Sequence, residues 1–503
     1  MASASSSSLT TPSLNTARCR QTFPGPADAD WLLPSPLARR LYHDTAADLP
    51  ILDAHTHLDA RRLADDDPFE NLADLWIASD PYKHRALRLL GVPEHDITGP
   101  ASPRDRFDRW AAASPLLLGN PLHNWNALDL HRAFGITTPL TPDTADAVWS
   151  ATAEALVRPT GTPRGLVQTG RPTTLCTSDR LTDNLDAHAR LARRPIPHVV
   201  VRPSLRADDL LALGTPAGQA FLDRLVDASG LPTDSFDELT FTLSQRLDAF
   251  GALGATVADL GLDRPDSLTP PAHSDEPAEL FERWHRDASP DARLDAPALA
   301  RLHGGLVRWL AAEVNARGWS LLLHLGALRN TSTRLARLAG PAGGYATTDR
   351  PLPIPRVARL LDDLERHDAL PRTVLFNLNP ADNLALATLA GSFARDHEPG
   401  LVSLGPAWWF NDHLDGIDRQ LDATAAHALL AAFPGMVTDA RSLLSIHRHE
   451  YFRRALCRWL ARRADAGELP NDADALAPLL RRMLVDNPAR LLGQSQPQAT
   501  TPP

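Results

Sequence analysis

The chain has little that would staple, anchor or strongly charge it. Only three cysteines occur in 503 residues, Cys19, Cys176 and Cys457, far apart and without metal-ligand spacing. That excludes a disulfide framework and a cysteine-based zinc ribbon, and it suits a reducing compartment such as the cytoplasm. No apolar run is long enough to span a bilayer. A basic excess is missing too. The formal net charge of −10 argues against a nucleic-acid-binding surface as the main function, although local arginines can still hold an anionic ligand. Lysine is almost absent: Lys83 is the only one, and every other permanent side-chain cation is arginine. Codon bias accounts for that without structure. The sharper reading is that position 83 needs a compact ammonium and rejects a guanidinium fork.

The length fits one large domain with insertions, or two domains. Residues 1–27 are rich in Ser and Thr and lack the apolar core of a secretory signal; they are expected to form a disordered tail, as is 494–503. Eight short apolar segments follow one another at 49–54, 172–177, 198–203, 254–259, 319–324, 373–378, 400–405 and 434–439. Amphipathic helical stretches, such as 217–228, 297–315, 355–367, 418–432 and 449–464, separate most of them. Short strands alternating with helices predict an α/β parallel sheet, and eight such units predict a distorted (β/α)8 TIM-type barrel over 28–493. Residues 28–48 read as largely helical. Residues 59–170 form a helical insertion after strand 1, with helical patterns around 68–75, 81–90, 103–113 and 141–156.

A barrel of this kind gathers its chemistry at the C-terminal ends of its strands. The first segment closes on His55-Thr56-His57, and strand alternation sets the two imidazoles on one face. The last segment closes on Asp439. Two imidazoles and a carboxylate suit a divalent ion such as Zn2+, with open positions left for substrate or water. Other strand ends carry Thr177 and Asp179, Arg202 and Arg206, Asp259, His324, Asn377 and Asn379, Trp408 and Trp409, and Arg441. Arg202, Arg206, Arg329 and Arg441 are candidates for holding a carboxylate, since the guanidinium fork matches two carboxylate oxygens. Tyr82, one of only four tyrosines, is a candidate acid or base, with packing as the plainer reading.

Longer stretches point to a family. LPILDAHTHL (49–58), PFENLADLW (68–76), YKHRALR (82–88), ITGPAS (97–102), LGNPLH (118–123), LHLGALRN (323–330), FNLNPADN (376–383), WWFND (408–412), TDARS (438–442) and HEYFRRALC (449–457) occur in an order that resembles uronate (glucuronate) isomerase of the amidohydrolase superfamily. The resemblance covers about residues 35–492. It implies an aldose–ketose isomerase interconverting D-glucuronate with D-fructuronate and D-galacturonate with D-tagaturonate. It implies His55 and His57 as the metal pair with Asp439, Tyr82 from the insertion, and Arg206, His324 and Arg441 around the substrate. It also implies a pocket lined by Trp408 or Trp409. Related enzymes often self-associate, so a homo-oligomer is a further expectation. Three positions differ from the family pattern: Pro81 stands where many members have histidine, Arg206-Ala207-Asp208 where the family has R-P-D, and Asp259-Leu260-Gly261 where D-H-G is common.

The expected chemistry is proton transfer between C2 and C1 through an enediol, with Tyr82 exchanging the proton and Arg206 making its phenol more acidic. The alternatives are a mononuclear metal-dependent hydrolase on the same scaffold, which would activate water, and a catalytically impaired uronate-binding relative. A two-metal hydrolase of this superfamily needs a bridging lysine or glutamate from strand four, and strand four offers neither.

Overall fold

The structure, a computed structural model, describes residues 25–262, 269–287, 289, 291–341 and 343–494. The expected tails fall outside the described residues except for Gly25–Ala27 and Gln494. The strands are β1 (Ile51–Thr56), β2 (Pro172–Arg180), β3 (Val200–Arg206), β4 (Val257–Leu262), β5 (Ser320–Leu325), β6 (Ala327–Leu328), β7 (Thr347–Thr348), β8 (Arg372–Asn377) and β9 (Val402–Leu404). Seven of them form one sheet in the order β1-β2-β3-β4-β5-β8-β9, with parallel neighbours throughout. The short β6 and β7 pair separately as an antiparallel ribbon just beyond the end of β5.

The strands are apolar because helices cover the sheet. In β5, Ser-Leu-Leu-Leu-His-Leu, every residue is buried. Burying each leucine side chain contributes about 1.5–3 kcal/mol, whereas the polar ring of His324 in the same run costs free energy wherever it lacks a hydrogen bond.

The expected eighth strand differs from the other seven. Residues 434–439 form no regular strand. Pro434 cannot donate to a ladder, and Gly435 adopts φ +98°. Gly435 also lies so close to Pro488 that an added Cβ would sit 2.4 Å from its Cγ. The segment still runs beside β1, tied by Asp439 N–H to His55 C=O (3.1 Å) and by His57 N–H to Ala440 C=O (2.8 Å). Side chains replace the missing ladder. The fully buried Asp53 carboxylate accepts from Thr438 N–H (3.2 Å), Thr438 Oγ1 (2.5 Å) and the backbone N–H of His55 (3.3 Å), and it pairs with His449 Nε2 (3.1 Å).

Seven α-helices occupy the insertion between β1 and β2. Among them, Pro121–Phe134 has no counterpart in the expected helical stretches; Asn120 caps it through Leu122 N–H (3.0 Å), with Pro121 at its first position. The expected helix over 28–48 is shorter, with Pro36–Leu41 continuing into a π-helical turn at Tyr42–Ala46. One apolar core unites the insertion with β1 and the buried helix Arg448–Asp465; a second surrounds β3 to β5 and β8 to β9. No helix among the described residues is long and apolar enough to cross a membrane.

Candidate active site

Strand ends and insertion meet at one cavity. His55, His57, Tyr82, Arg206, His324, Arg329, Trp408, Trp409, Asp439 and Arg441 all line it. Of the residues expected at the site, Asn379 stays outside, as does Arg202, whose guanidinium donates instead to Leu492 C=O (3.4 Å). The Asn379 amide is consumed by the fold, accepting from Ala381 N–H (3.1 Å) and donating to Asp349 C=O (3.2 Å). The Asn-Pro step that follows β8 is therefore a turn cap.

His55 belongs to β1 and His57 follows its end, and their rings stand edge to face with centroids 4.9 Å apart. Asp439 Oδ1 lies 2.8 Å from His57 Nε2 and 3.5 Å from His55 Nε2. The backbone of Asp439 is left-handed, φ +49°, a conformation that costs a non-glycine residue about 1–2 kcal/mol. Its own N–H bond to His55 C=O and the bonds from the neighbouring Thr438 to Asp53, both on β1, hold it there. Each of the three residues offers one ligand atom, and these atoms lie within 4.8 Å of one another. The set fits a divalent ion. Burial pushes the His57 pKa down to about 3, which keeps the imidazole neutral, the form that binds metal. Burial disfavours charge on Asp439, but His57, His55 and Arg441 outweigh it and hold the carboxylate ionised.

Around this trio the charges are paired. Asp259 Oδ2 lies 3.7 Å from His55 Nδ1 and accepts from Ser178 Oγ (3.1 Å). Burial raises the Asp259 pKa to about 6. Burial opposes charge on His55, yet Asp259 and Asp439 prevail and raise its pKa. Arg206 Nε donates to Asp208 Oδ2 (2.8 Å), and Gly261 N–H donates to Asp208 Oδ1 (2.7 Å). His324 stacks on Phe376 (centroids 4.8 Å) and tilts against Trp408 (4.7 Å) and His55 (4.7 Å). Burial drives its pKa well down, so it faces the cavity as a neutral ring.

Alternation along β4 settles the Asp259-Leu260-Gly261 departure. Asp259 and Gly261 line the cavity, whereas Leu260 is fully buried in the second core. Pro81, by contrast, lines the cavity itself.

Tyr82 sits in the first turn of helix Pro81–Leu89, capped by Asp80, whose Oδ1 accepts from Tyr82 N–H (2.8 Å). Burial raises its phenol pKa above the usual tyrosine range. The main opposing charge is Arg448, not the expected Arg206. The Arg448 guanidinium lies 5.5 Å from the Tyr82 ring centre and 4.8 Å from that of Trp125, and its Nη1 is 3.4 Å from Asp412 Oδ2. Neither Arg448 nor Asp412 stands out in the sequence as a site residue, because Arg448 opens a helix rather than closing a strand; Asp412 ends the WWFND stretch and Arg448 immediately precedes HEYFRRALC.

The far wall comes from the segment between β6 and β7. Asn330, Gly343, Gly344, Tyr345 and Ala346 line the cavity. Tyr345 Oη donates within this segment, with Asn330 Oδ1 at 3.1 Å and Gly340 C=O at 2.5 Å. Gly344 adopts φ +85°, and a Cβ there would fall 2.4 Å from Pro81 C=O, so only glycine allows this close approach to the Tyr82 helix.

Fold and site together define an α/β barrel enzyme whose cavity presents a site for one divalent ion beside several arginines suited to an anionic small molecule. The solved uronate isomerase from Thermotoga maritima superposes with a TM-score of 0.84 at 27% identity, over 92% of this chain and 99% of that one. The glucuronate isomerase from Caulobacter crescentus gives 0.84 at 25% identity, over 94% and 98%. A uronate isomerase from Bacillus halodurans, at 14% identity and a TM-score of 0.60, shares the fold over 92% and 97%. The glucuronate isomerase family model matches residues 26–492, and the chain belongs to that family. It is an aldose–ketose isomerase, built as a distorted (β/α)8 barrel.

Proposed function

We propose that the cavity interconverts D-glucuronate with D-fructuronate and D-galacturonate with D-tagaturonate by proton transfer through an enediol. The observation that carries this reading is the convergence of His55, His57 and Asp439 with Tyr82, Arg206, His324 and Arg441 on one cavity.

His55, His57 and Asp439 would hold the divalent ion, with zinc the proposed identity because two imidazoles and one carboxylate leave an open position. When bound, such an ion supplies Lewis acidity toward substrate oxygens. Tyr82 takes the proton from C2 of the aldose and returns it to C1, while Arg448 against its ring opposes the effect of burial on the phenol. Asp439, ionised within the cavity, moves a proton to or from the sugar oxygens on ring opening. Arg206, braced by Asp208, offsets negative charge growing on the enediol oxygens. Arg441, Arg329 and His324 hold the C6 carboxylate, and Trp408 and Trp409 cover the sugar. The free thiols Cys176 and Cys457, both buried, suit the cytoplasmic setting of hexuronate catabolism.

The test is turnover of both uronates by pure protein, with the ketose product read by a coloured assay. Running the reaction in deuterium oxide should place deuterium at C1 of the ketose. Full retention of the substrate hydrogen would favour hydride transfer and remove Tyr82 from its role.

A further inference from the structure

The only lysine of the chain lies directly behind Tyr82. Lys83 is 3% exposed. Its Nζ sits 2.5 Å from Asp80 Oδ2, 4.9 Å from the ring centre of Trp76 and 5.7 Å from that of Trp110. The two indoles stand edge to face at 6.4 Å, and Trp76 is pinned by its Nε1–H to Asp129 Oδ2 (2.8 Å). The ammonium therefore occupies a walled pocket with a carboxylate at its mouth. The other oxygen of that carboxylate caps the helix that carries Tyr82, accepting from the N–H groups of Tyr82 (2.8 Å) and Lys83 (3.2 Å). Burial disfavours the Asp80 carboxylate, and Lys83 outweighs burial to lower its pKa. An arginine is longer, and its planar fork would have to push an indole aside or drag Asp80 off the helix end.

We propose that Lys83 is a positioning residue for Tyr82: its ammonium anchors the Asp80 carboxylate against the first helical turn and so fixes the phenol in the cavity. The inference rests on the assignment of Tyr82 as the proton-transfer group. It also gives a physical reason for lysine at one position of a chain that otherwise uses arginine.

The experiment compares Lys83→Arg, Lys83→Met and the uncharged pair Asp80→Asn/Lys83→Met, each in the native and the Tyr82→Phe background. Readouts are kcat, KM, melting temperature and bound metal. Both single variants should lose at least about tenfold in kcat, as expected of a misplaced reacting group, with KM and metal content little changed. In the Tyr82→Phe background the same substitutions should alter the residual turnover by less than about twofold, since they act through the phenol. Full turnover of Lys83→Arg, or equal losses in both backgrounds, would overturn the inference. Should Lys83→Met fail to fold, the uncharged pair decides: a folded protein with low kcat supports the inference, and native kcat overturns it. Tyr82→Phe with native turnover would overturn the Tyr82 assignment, and the inference with it.

Discussion

Substituting Asp53 by alanine tests how the metal-holding aspartate is kept in place. Asp53 is fully buried and joins β1 to the irregular eighth segment through Thr438 and to helix Arg448–Asp465 through His449. Alanine removes the carboxylate from the Thr438 N–H, the His55 N–H and the His449 ring nitrogen, all in a fully buried place. The Thr438 hydroxyl can rotate, so it is not counted. At about 1–3 kcal/mol for each of these three groups, the loss is about 6 kcal/mol. With an unfolding entropy near 2.1 cal/mol/K per residue, a chain of this length should melt about 6 °C lower. Asp439 must then hold its left-handed φ of +49° with less support, so kcat should fall by at least about tenfold. Differential scanning fluorimetry and the ketose assay measure both effects. Asp53→Asn keeps one acceptor oxygen and should melt between the two. If Asp53→Ala melts within about 1 °C of the native protein and turns over at full rate, the reasoning about side-chain anchoring is wrong.

Tyr82→Phe should lower kcat by about 10²–10⁴-fold and abolish deuterium entry at C1, read by proton NMR of the product. His57→Ala and Asp439→Asn should each copurify with less than half the native content of divalent metal, measured by elemental mass spectrometry; unchanged content would place the ion elsewhere. Burial pushes the Cys176 and Cys457 thiols up to about 12, so an alkylating reagent at pH 8 should leave both unmodified in the native protein and label both after denaturation, as read by peptide mass mapping.

Much of the site was legible because strands have a period of two. His55-Thr56-His57 at the end of a buried strand needed no fold to be noticed, and Asp439 at the end of the last apolar segment completed the set. The same rule shows why Leu260 does not alter the cavity, since it alternates away from Asp259 and Gly261. What was illegible came from elements with no such period. Residues 434–439 read as a strand by apolarity, but Pro434, Gly435 and the Asp53 side chain give them another geometry. Asn379 has the composition of a site residue, and only its two backbone partners reveal a cap. Arg448 reaches Tyr82 from a helix hundreds of residues downstream, a contact that no local pattern encodes. The wall formed by Gly343 to Ala346 likewise depends on how a loop folds back on the insertion.

The bond between Asp53 and Thr438 joins positions 385 residues apart in the chain. A chain emerging from the ribosome thus carries both imidazoles long before the acid that completes their set, and the His449 brace arrives later still. Premature capture of a wrong ion by a half-made protein is disfavoured, because the three-point grip exists only once nearly the whole polypeptide has been synthesised and closed upon itself.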